Sequence, residues 1–136
     1  MSQQETDLVA KFMRLADDEP GAYAIKHSDG YVSGVPDVSF TLNRWTSWLE
    51  FKLSEDATPT VRWQHELQRI TCVKLATRGT CWLVLYHEAA AVKTTYVLDP
   101  RMVKDGRFDV DEAISVGDWD HAFVLDFMRE VHRGRR

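Results

Sequence analysis

The sequence predicts an α/β protein in which a mixed β-sheet is flanked by helices on both of its faces. Amphipathic helical patterns stand near both ends and enclose several segments with strand-like alternation. A further helical pattern leads directly into the continuous apolar run CWLVLY, an order typical of a strand–helix–strand crossover. Because helices and sheets each bury one apolar face, elements arranged in this order pack in layers.

The composition is that of an ordinary globular protein. The chain has 136 residues, of which 44% are hydrophobic and 28% are charged, so we expect a single domain over residues 1–136 rather than a disordered chain. No stretch approaches the ~18 apolar residues of a membrane span, and the first residues lack the pattern of a signal peptide. We therefore expect a cytoplasmic protein of a bacterium or a phage, with no membrane partner. Cys72 and Cys81 lack metal-ligand spacing and are expected to be reduced packing groups.

The N-terminal half combines one helix with several strands. Leu8, Phe12 and Leu15 recur at helical spacing, which predicts a helix over residues 3–16. The strands predicted after it are residues 22–27, a short strand with Tyr31 and Val32 after a turn at residues 28–30, residues 38–42 and residues 45–53. A tight connection at Asn43-Arg44 makes the last two strands antiparallel neighbours.

The C-terminal half is predicted to contain the crossover helix, two more strands and a last helix. Trp63, Leu67 and Ile70 predict a helix over residues 60–77, which ends at Gly79. The elements predicted after it are a buried strand at 81–86, a strand at 91–98, and a last helix capped by Gly117-Asp118, with Trp119, Phe123, Phe127 and Val131 spaced by four.

Three charged residues interrupt apolar strands. Asp37 begins one strand, while Glu50 and Lys52 project from the same face of its antiparallel partner. The hairpin brings Asp37 beside Glu50, and two such carboxylates repel each other unless a proton or a cation joins them. Oxygen ligands suit Mg²⁺ or Mn²⁺, and a nearby lysine is suited to hold a phosphate oxygen. We interpret these three residues as a site for metal-assisted phosphodiester hydrolysis.

The predicted main helix adds a polar flank that includes Gln64 and Gln68. An amide there can hydrogen-bond a water or a phosphate, and we select Gln64 for this role. The plainer alternative remains open at this stage: Gln64 is an exposed helix residue, and Glu50 and Lys52 form a solvated surface pair.

Taken in order, the motifs resemble the PD-(D/E)XK nuclease superfamily. They are Gly34-Val35-Pro36-Asp37, Trp48-Leu49-Glu50-Phe51-Lys52, a helix with Gln64, and Gly79 before a buried strand. The small VRR-NUC-type and Holliday-junction-resolvase-like nucleases are the most similar, over residues 5–86. The resemblance implies a restriction-endonuclease-like fold and a Mg²⁺-dependent DNA endonuclease, with Mn²⁺ as a substitute metal, a preference for branched or junction DNA, and a homodimer.

The resemblance also assigns roles to the matching residues. Asp37, Glu50 and the backbone carbonyl of Phe51 would be metal ligands, with Glu5 from the first helix as an added acid. Lys52 would be the catalytic lysine and Gln64 the accessory glutamine. One departure is the position of Thr58-Pro59, five residues before Gln64, where the family has a shorter approach.

The charge balance restricts how DNA is bound. A net charge of −4 argues against a general nucleic-acid binder, so we expect a local basic face. Its candidate residues are Lys26, Arg44, Arg62 and Arg69. Two alternatives to an enzyme remain: a non-catalytic module of the nuclease fold that binds nucleic acid or a protein partner, and an unrelated α/β interaction protein.

Overall fold

The computed structural model describes residues 3–27, 35–118 and 121–133. The helices are α1 (Gln3–Asp17), α2 (Glu66–Thr77) and α3 (His121–Arg133). The strands are β1 (Tyr23–Lys26), β2 (Val38–Leu42), β3 (Trp45–Ser54), β4 (Cys81–Ala89), β5 (Val92–Leu98) and β6 (Ser115–Asp118). Two short 3₁₀ helices, Pro100–Met102 and Val110–Glu112, lie between β5 and β6.

These strands form one six-stranded sheet in which the order of the strands follows the order of the chain. The β3–β4 pair is parallel, and the four other pairs are antiparallel. A parallel pair requires a crossover connection, and α2 supplies it. The predicted mixed sheet with flanking helices is therefore confirmed.

The β2–β3 hairpin fixes the register that matters for the site. Asn43 and Arg44 both have positive φ, 56° and 69°, which gives a two-residue turn whose twist matches that of the strands. The turn places Val38 opposite Leu49 as the last pair of the ladder. Asp37 therefore lies one residue outside the ladder, beside the residues of β3 that follow Leu49.

The main core lies between the sheet and the helices α1 and α3. Leu49 and Phe51 project from β3 toward this side and are fully or almost fully buried. Phe12 of α1 is 0% exposed, and its ring centroid lies 6.3 Å from that of Phe40 and 5.4 Å from that of Phe51. These contacts fix α1 over the hairpin.

A buried histidine joins α3 to the same hairpin. His132 is 0% exposed, and its Nδ1 lies 2.9 Å from the carbonyl oxygen of Leu42, which can only accept a hydrogen bond. Nδ1 therefore carries the proton, and Nε2 accepts from the Ser47 hydroxyl at 2.8 Å. The two bonds attach α3 to both strands of the hairpin.

The opposite face of the sheet is covered by α2. Cys72, Ala76 and Cys81 form a buried cluster against Trp48 and Trp63. Both cysteines are free thiols within this packing, as the sequence predicted. Glu50 and Lys52 project toward this second layer because they alternate with Leu49 and Phe51.

The predicted start of the main helix is wrong. The helix begins at Glu66 rather than at residue 60. The Thr60 N–H donates to the Ser54 hydroxyl oxygen at 3.2 Å, and the Val61 N–H donates to the Gly106 carbonyl at 2.8 Å. These tertiary hydrogen bonds hold the preceding segment extended.

The predicted cap of the last helix is also wrong. Gly117-Asp118 belongs to β6, which pairs with β5 by placing Val116 opposite Tyr96. The predicted turn at residues 28–30, the short strand with Tyr31 and Val32, and Trp119 lie outside the described residues. Within the described ranges, no helix has the length and apolar character needed to cross a membrane.

The substitution Phe12→Ala tests the packing of α1. It should lower the free energy of unfolding by about 3–5 kcal/mol, because it removes a buried ring between two others. Leu67→Ala is the control: Leu67 is 50% exposed on α2, and its loss should cost about 0.5 kcal/mol or less. Urea unfolding measures both, and equal effects would contradict this placement of α1.

Candidate functional site

Asp37 and Glu50 are held together through the backbone of the hairpin. The Asp37 N–H donates to Glu50 Oε1 at 3.1 Å, and the Phe51 N–H donates to Asp37 Oδ2 at 2.9 Å. The β2 ladder ends at Val38, so the side chain of Asp37 accepts the hydrogen bond that a further strand residue would have accepted. The structure therefore brings the two predicted carboxylates together.

Lys52 is buried within the same group. Its Nζ lies 3.3 Å from Glu50 Oε2 and donates to Gln68 Oε1 at 2.9 Å. The same ammonium lies 5.5 Å from the centroid of the Trp63 ring, within the range of a cation–π contact. Lys52 is only 5% exposed, so these three neighbours replace its hydration.

The electrostatics of the site favour an added positive charge. Burial, followed by the negative charge of Asp37, raises the pKa of Glu50 to about 8, although Lys52 acts in the opposite direction. Burial also raises the pKa of Asp37, against the lowering effects of the Phe51 N–H and of Lys52. One ammonium therefore does not neutralise both carboxylates, and the metal-free pair retains a proton near neutral pH.

The third predicted ligand is a backbone oxygen on the same edge of β3. The N–H and C=O of a strand residue point toward the same side, and the Phe51 N–H points toward Asp37. The Phe51 carbonyl therefore emerges beside the two carboxylates. All three donors are hard oxygens, the ligand type that Mg²⁺ prefers.

Glu5 of α1 lies within electrostatic reach, because its charge contributes to raising the pKa of Asp37. It does not complete a set of three acidic side chains. Among residues 3–27, 35–118 and 121–133, no three His, Cys, Asp or Glu side chains lie close enough to hold a metal ion. Mg²⁺ often uses one or two carboxylates and several waters, so the Asp37–Glu50 pair still fits it.

The expectation that Gln64 faces this site is wrong. Gln64 precedes α2 and is exposed to solvent, because the helix starts only at Glu66. Gln68 is 3% exposed and contacts Lys52 instead. Gln68, Cys72 and Ala76 form a row with a spacing of four, and they are the buried residues of α2. In the sequence, this row of small and polar side chains is the signal that could have identified the buried face of the helix.

The four predicted DNA-binding cations do not form one continuous face. Lys26 stands opposite Val38, near the Asp37 end of β2, and Arg44 lies in the turn at the other end. Arg62 pairs with Asp56 at 2.9 Å, and Arg69 forms an ion pair with Glu66. Local acids thus offset two of the four charges.

One residue that the sequence analysis did not connect with the site lies next to it. The His27 N–H donates to the Asp37 carbonyl at 2.8 Å. The His27 ring hydrogen-bonds Ser39 Oγ at 2.9 Å and lies 5.1 Å from the Trp48 ring. His27 thereby supports the backbone of Asp37 from the β1 side, a contact that only the β1–β2 pairing creates.

Comparison with solved structures identifies the fold. The chain is similar to Hjc, a Holliday junction resolvase from the archaeal hyperthermophile Archaeoglobus fulgidus, with a TM-score of 0.50 and 12% sequence identity. The match covers 85% of this chain and 84% of that chain. No protein-family model matches the sequence, and no curated protein matches it. At this identity the likeness concerns the fold alone, and the PD-(D/E)XK superfamily and the VRR-NUC type stay predictions.

The raised pKa of Glu50 predicts a pH dependence of stability in the metal-free protein. Between the ordinary pKa of 4.5 and about 8, the folded state binds a proton that the unfolded chain has lost. Stability should therefore fall as pH rises through this range, by at most about 1.4 kcal/mol per pH unit. Urea unfolding in EDTA from about pH 5 to pH 8 measures the slope.

Glu50→Gln should flatten this profile because it removes the titrating group. Glu55→Gln, a change of an exposed acid just after β3, should leave the profile as it is in the unmodified protein. Identical slopes for Glu50→Gln and the unmodified protein would contradict the assignment.

Proposed function

We propose that this protein is a metal-dependent DNA endonuclease that prefers branched or junction DNA. The observation that carries the proposal is the group formed by half-buried Asp37 with buried Glu50 and Lys52, on a fold that is similar to that of a Holliday junction resolvase. The group combines oxygen donors with an ammonium in one place. Phosphodiester hydrolysis requires both kinds of group.

In this proposal Asp37, Glu50 and the Phe51 carbonyl hold Mg²⁺, for which Mn²⁺ substitutes. The raised pKa values of both acids support it, because a divalent cation supplies the positive charge that Lys52 alone does not. A metal bound there would polarise the scissile phosphate and lower the pKa of a bound water. The hydrogen bonds from the backbone of the hairpin keep the carboxylates in one geometry.

Lys52 acts as the electrostatic group of the proposed site. Gln68 and Glu50 fix its ammonium, so it needs no reorganisation when negative charge develops on the phosphate. Gln68 contacts Lys52, and we assign it the role of positioning this ammonium, in place of the accessory role that the sequence predicted for Gln64. Trp63 covers the ammonium and limits its access to water.

The preference for branched DNA and the homodimer belong to the same proposal. The similar protein is a Holliday junction resolvase, and a four-way junction offers two equivalent strands to be cut. Two copies of one site, related by a two-fold axis, match such a substrate. The net charge of −4 means that contacts with DNA must come from limited surfaces.

Three substitutions test the catalytic assignment. Asp37→Asn, Glu50→Gln and Lys52→Met should each slow cleavage of a four-way DNA junction by about 10²-fold or more, since each removes charge from the reacting centre. Plasmid, linear, single-stranded and junction DNA are incubated with Mg²⁺, Mn²⁺ or EDTA. EDTA should abolish cleavage by the unmodified protein.

Glu55→Gln serves as the control because it removes an exposed carboxylate near the same strand. It should cleave at the rate of the unmodified protein. Full activity in all three site variants would reject the assignment. Cleavage of no DNA form by the unmodified protein would favour the alternative of a non-catalytic module.

A second pair of substitutions separates the two glutamines. Gln68→Ala should lower kcat by about 10-fold or more with little change in KM, because the Lys52 ammonium loses a partner that fixes it. Gln64→Ala should change kcat less than about twofold, because its side chain is exposed. Single-turnover and steady-state assays on junction DNA give both constants.

Gln68→Asn retains an uncharged amide oxygen that can accept from Lys52 and should recover part of the lost rate. An equal loss for Gln64→Ala and Gln68→Ala would contradict the positioning role of Gln68. Failure of Gln68→Asn to exceed Gln68→Ala would also contradict it.

A further inference from the structure

A cleft lies beside the candidate site, on the face of the sheet that α2 covers. We call it the Trp63 cleft, and its volume is about 760 Å³. Its lining includes Trp63, Arg69, Val73, Arg101, Val103 and Lys104. We propose that the Trp63 cleft binds an unpaired nucleotide segment of the DNA substrate, an inference that rests on the proposed function.

Both walls of the cleft are formed by helices and a hydrogen-bonded turn. One wall is α2, and the other combines the 3₁₀ helix Pro100–Met102 with the turn from Lys104 to Arg107. Two backbone hydrogen bonds of 2.8 and 2.9 Å close this turn, and the Gly106 carbonyl accepts from the Val61 N–H. Gly106 has a φ of 77°, and a Cβ added there would lie 2.7 Å from the Val61 carbonyl oxygen. The hydrogen bond and this close approach fix the position of the turn against the segment around Val61.

The charge of the lining favours a phosphate-bearing ligand. Arg69, Arg101 and Lys104 supply three cations, and the lining also contains Glu66 and Asp105. Glu66 pairs with Arg69, and Asp99 pairs with Arg101 at 2.6 Å, so local acids offset these two cations. Among the described residues the Lys104 side chain forms no ion pair, and its ammonium is the cation of the lining that remains available. That ammonium can pair with a phosphate of a nucleic-acid backbone.

The indole of Trp63 connects the cleft with the candidate site. The same ring lines the cleft and lies 5.5 Å from the Lys52 ammonium. Aromatic rings bind bases by stacking without regard to sequence. Bases within a duplex are already stacked on both faces, so only an unpaired strand can offer a base to Trp63.

The volume supports an occupant of this size. Pockets of ~300–1,000 Å³ hold small ligands, a range that suits one or a few nucleotides and not a double helix. Val73 and Val103 give the cleft an apolar part against which a base and sugar can pack. The cleft therefore pairs cations for phosphates with an aromatic and apolar wall for bases.

Binding in the absence of metal tests the proposal separately from cleavage. A fluorescein-labelled oligodeoxythymidine of about 12 nucleotides is titrated with protein in EDTA at about 50 mM salt, and anisotropy gives Kd. Lys104→Glu should weaken binding by about tenfold and reduce the salt slope by about 1. Lys11→Glu, an exposed change on α1 across the sheet, should alter Kd less than about twofold.

Two further measurements assign the binding to the cleft and to unpaired DNA. Oligonucleotide binding should quench tryptophan fluorescence, and Trp63→Phe should remove most of that quenching while the other tryptophans remain. A duplex of the same length should lose less than about twofold in affinity on Lys104→Glu. Thermal melting confirms that each variant is folded.

The outcomes separate this inference from the proposed function. No binding of the oligonucleotide, equal losses for Lys104→Glu and Lys11→Glu, or an equal loss with duplex DNA would overturn it. A selective Lys104→Glu effect in a protein that cleaves no DNA would support the cleft and reject the endonuclease.

Discussion

The hydrogen bond from the Phe51 N–H to Asp37 Oδ2 is the contact on which the arrangement of the site depends. It forms because β2 begins at Val38, one residue after Asp37, so the side chain of Asp37 bonds the open edge of β3 beyond the ladder. Asn43 and Arg44 set that register through their positive φ angles. A slip of one residue would turn Glu50 toward the α1 and α3 side, because strand side chains alternate. The turn of a hairpin thereby determines which layer receives the charged groups.

The second layer makes the burial of these charges tolerable. A buried ammonium or carboxylate is costly unless hydrogen bonds replace its hydration. Lys52 meets a carboxylate, an amide oxygen and an indole ring, while Glu50 accepts from the backbone of Asp37. The apolar packing around Phe12 on the other side of the sheet supplies the compensating stability. The side of the sheet that faces α1 and α3 therefore stabilises the fold, whereas the side that faces α2 holds the charged groups.

Local sequence patterns predicted what depends on local spacing. The bounds of β2, the crossover, and the approach of Asp37 to Glu50 all follow from alternation and from one tight turn. The start of α2 was not predictable in this way, because it is set by hydrogen bonds with residues distant in sequence such as Gly106. The choice of Gln68 over Gln64 depends on that start. Likewise, β6 is a four-residue strand that is recognisable only through its pairing with β5.

The hydrogen bonds of His132 join the hairpin to a helix that is synthesised later. The ribosome releases Ser47 and Leu42 about 90 residues before it releases their imidazole partner on α3. Until α3 has emerged, both strands of the hairpin lack their buried anchor, and the sheet face that α3 covers stays open to water. The nascent hairpin therefore gains this anchor only after α3 has been synthesised, so the candidate site reaches its final geometry after the strands that carry it have formed.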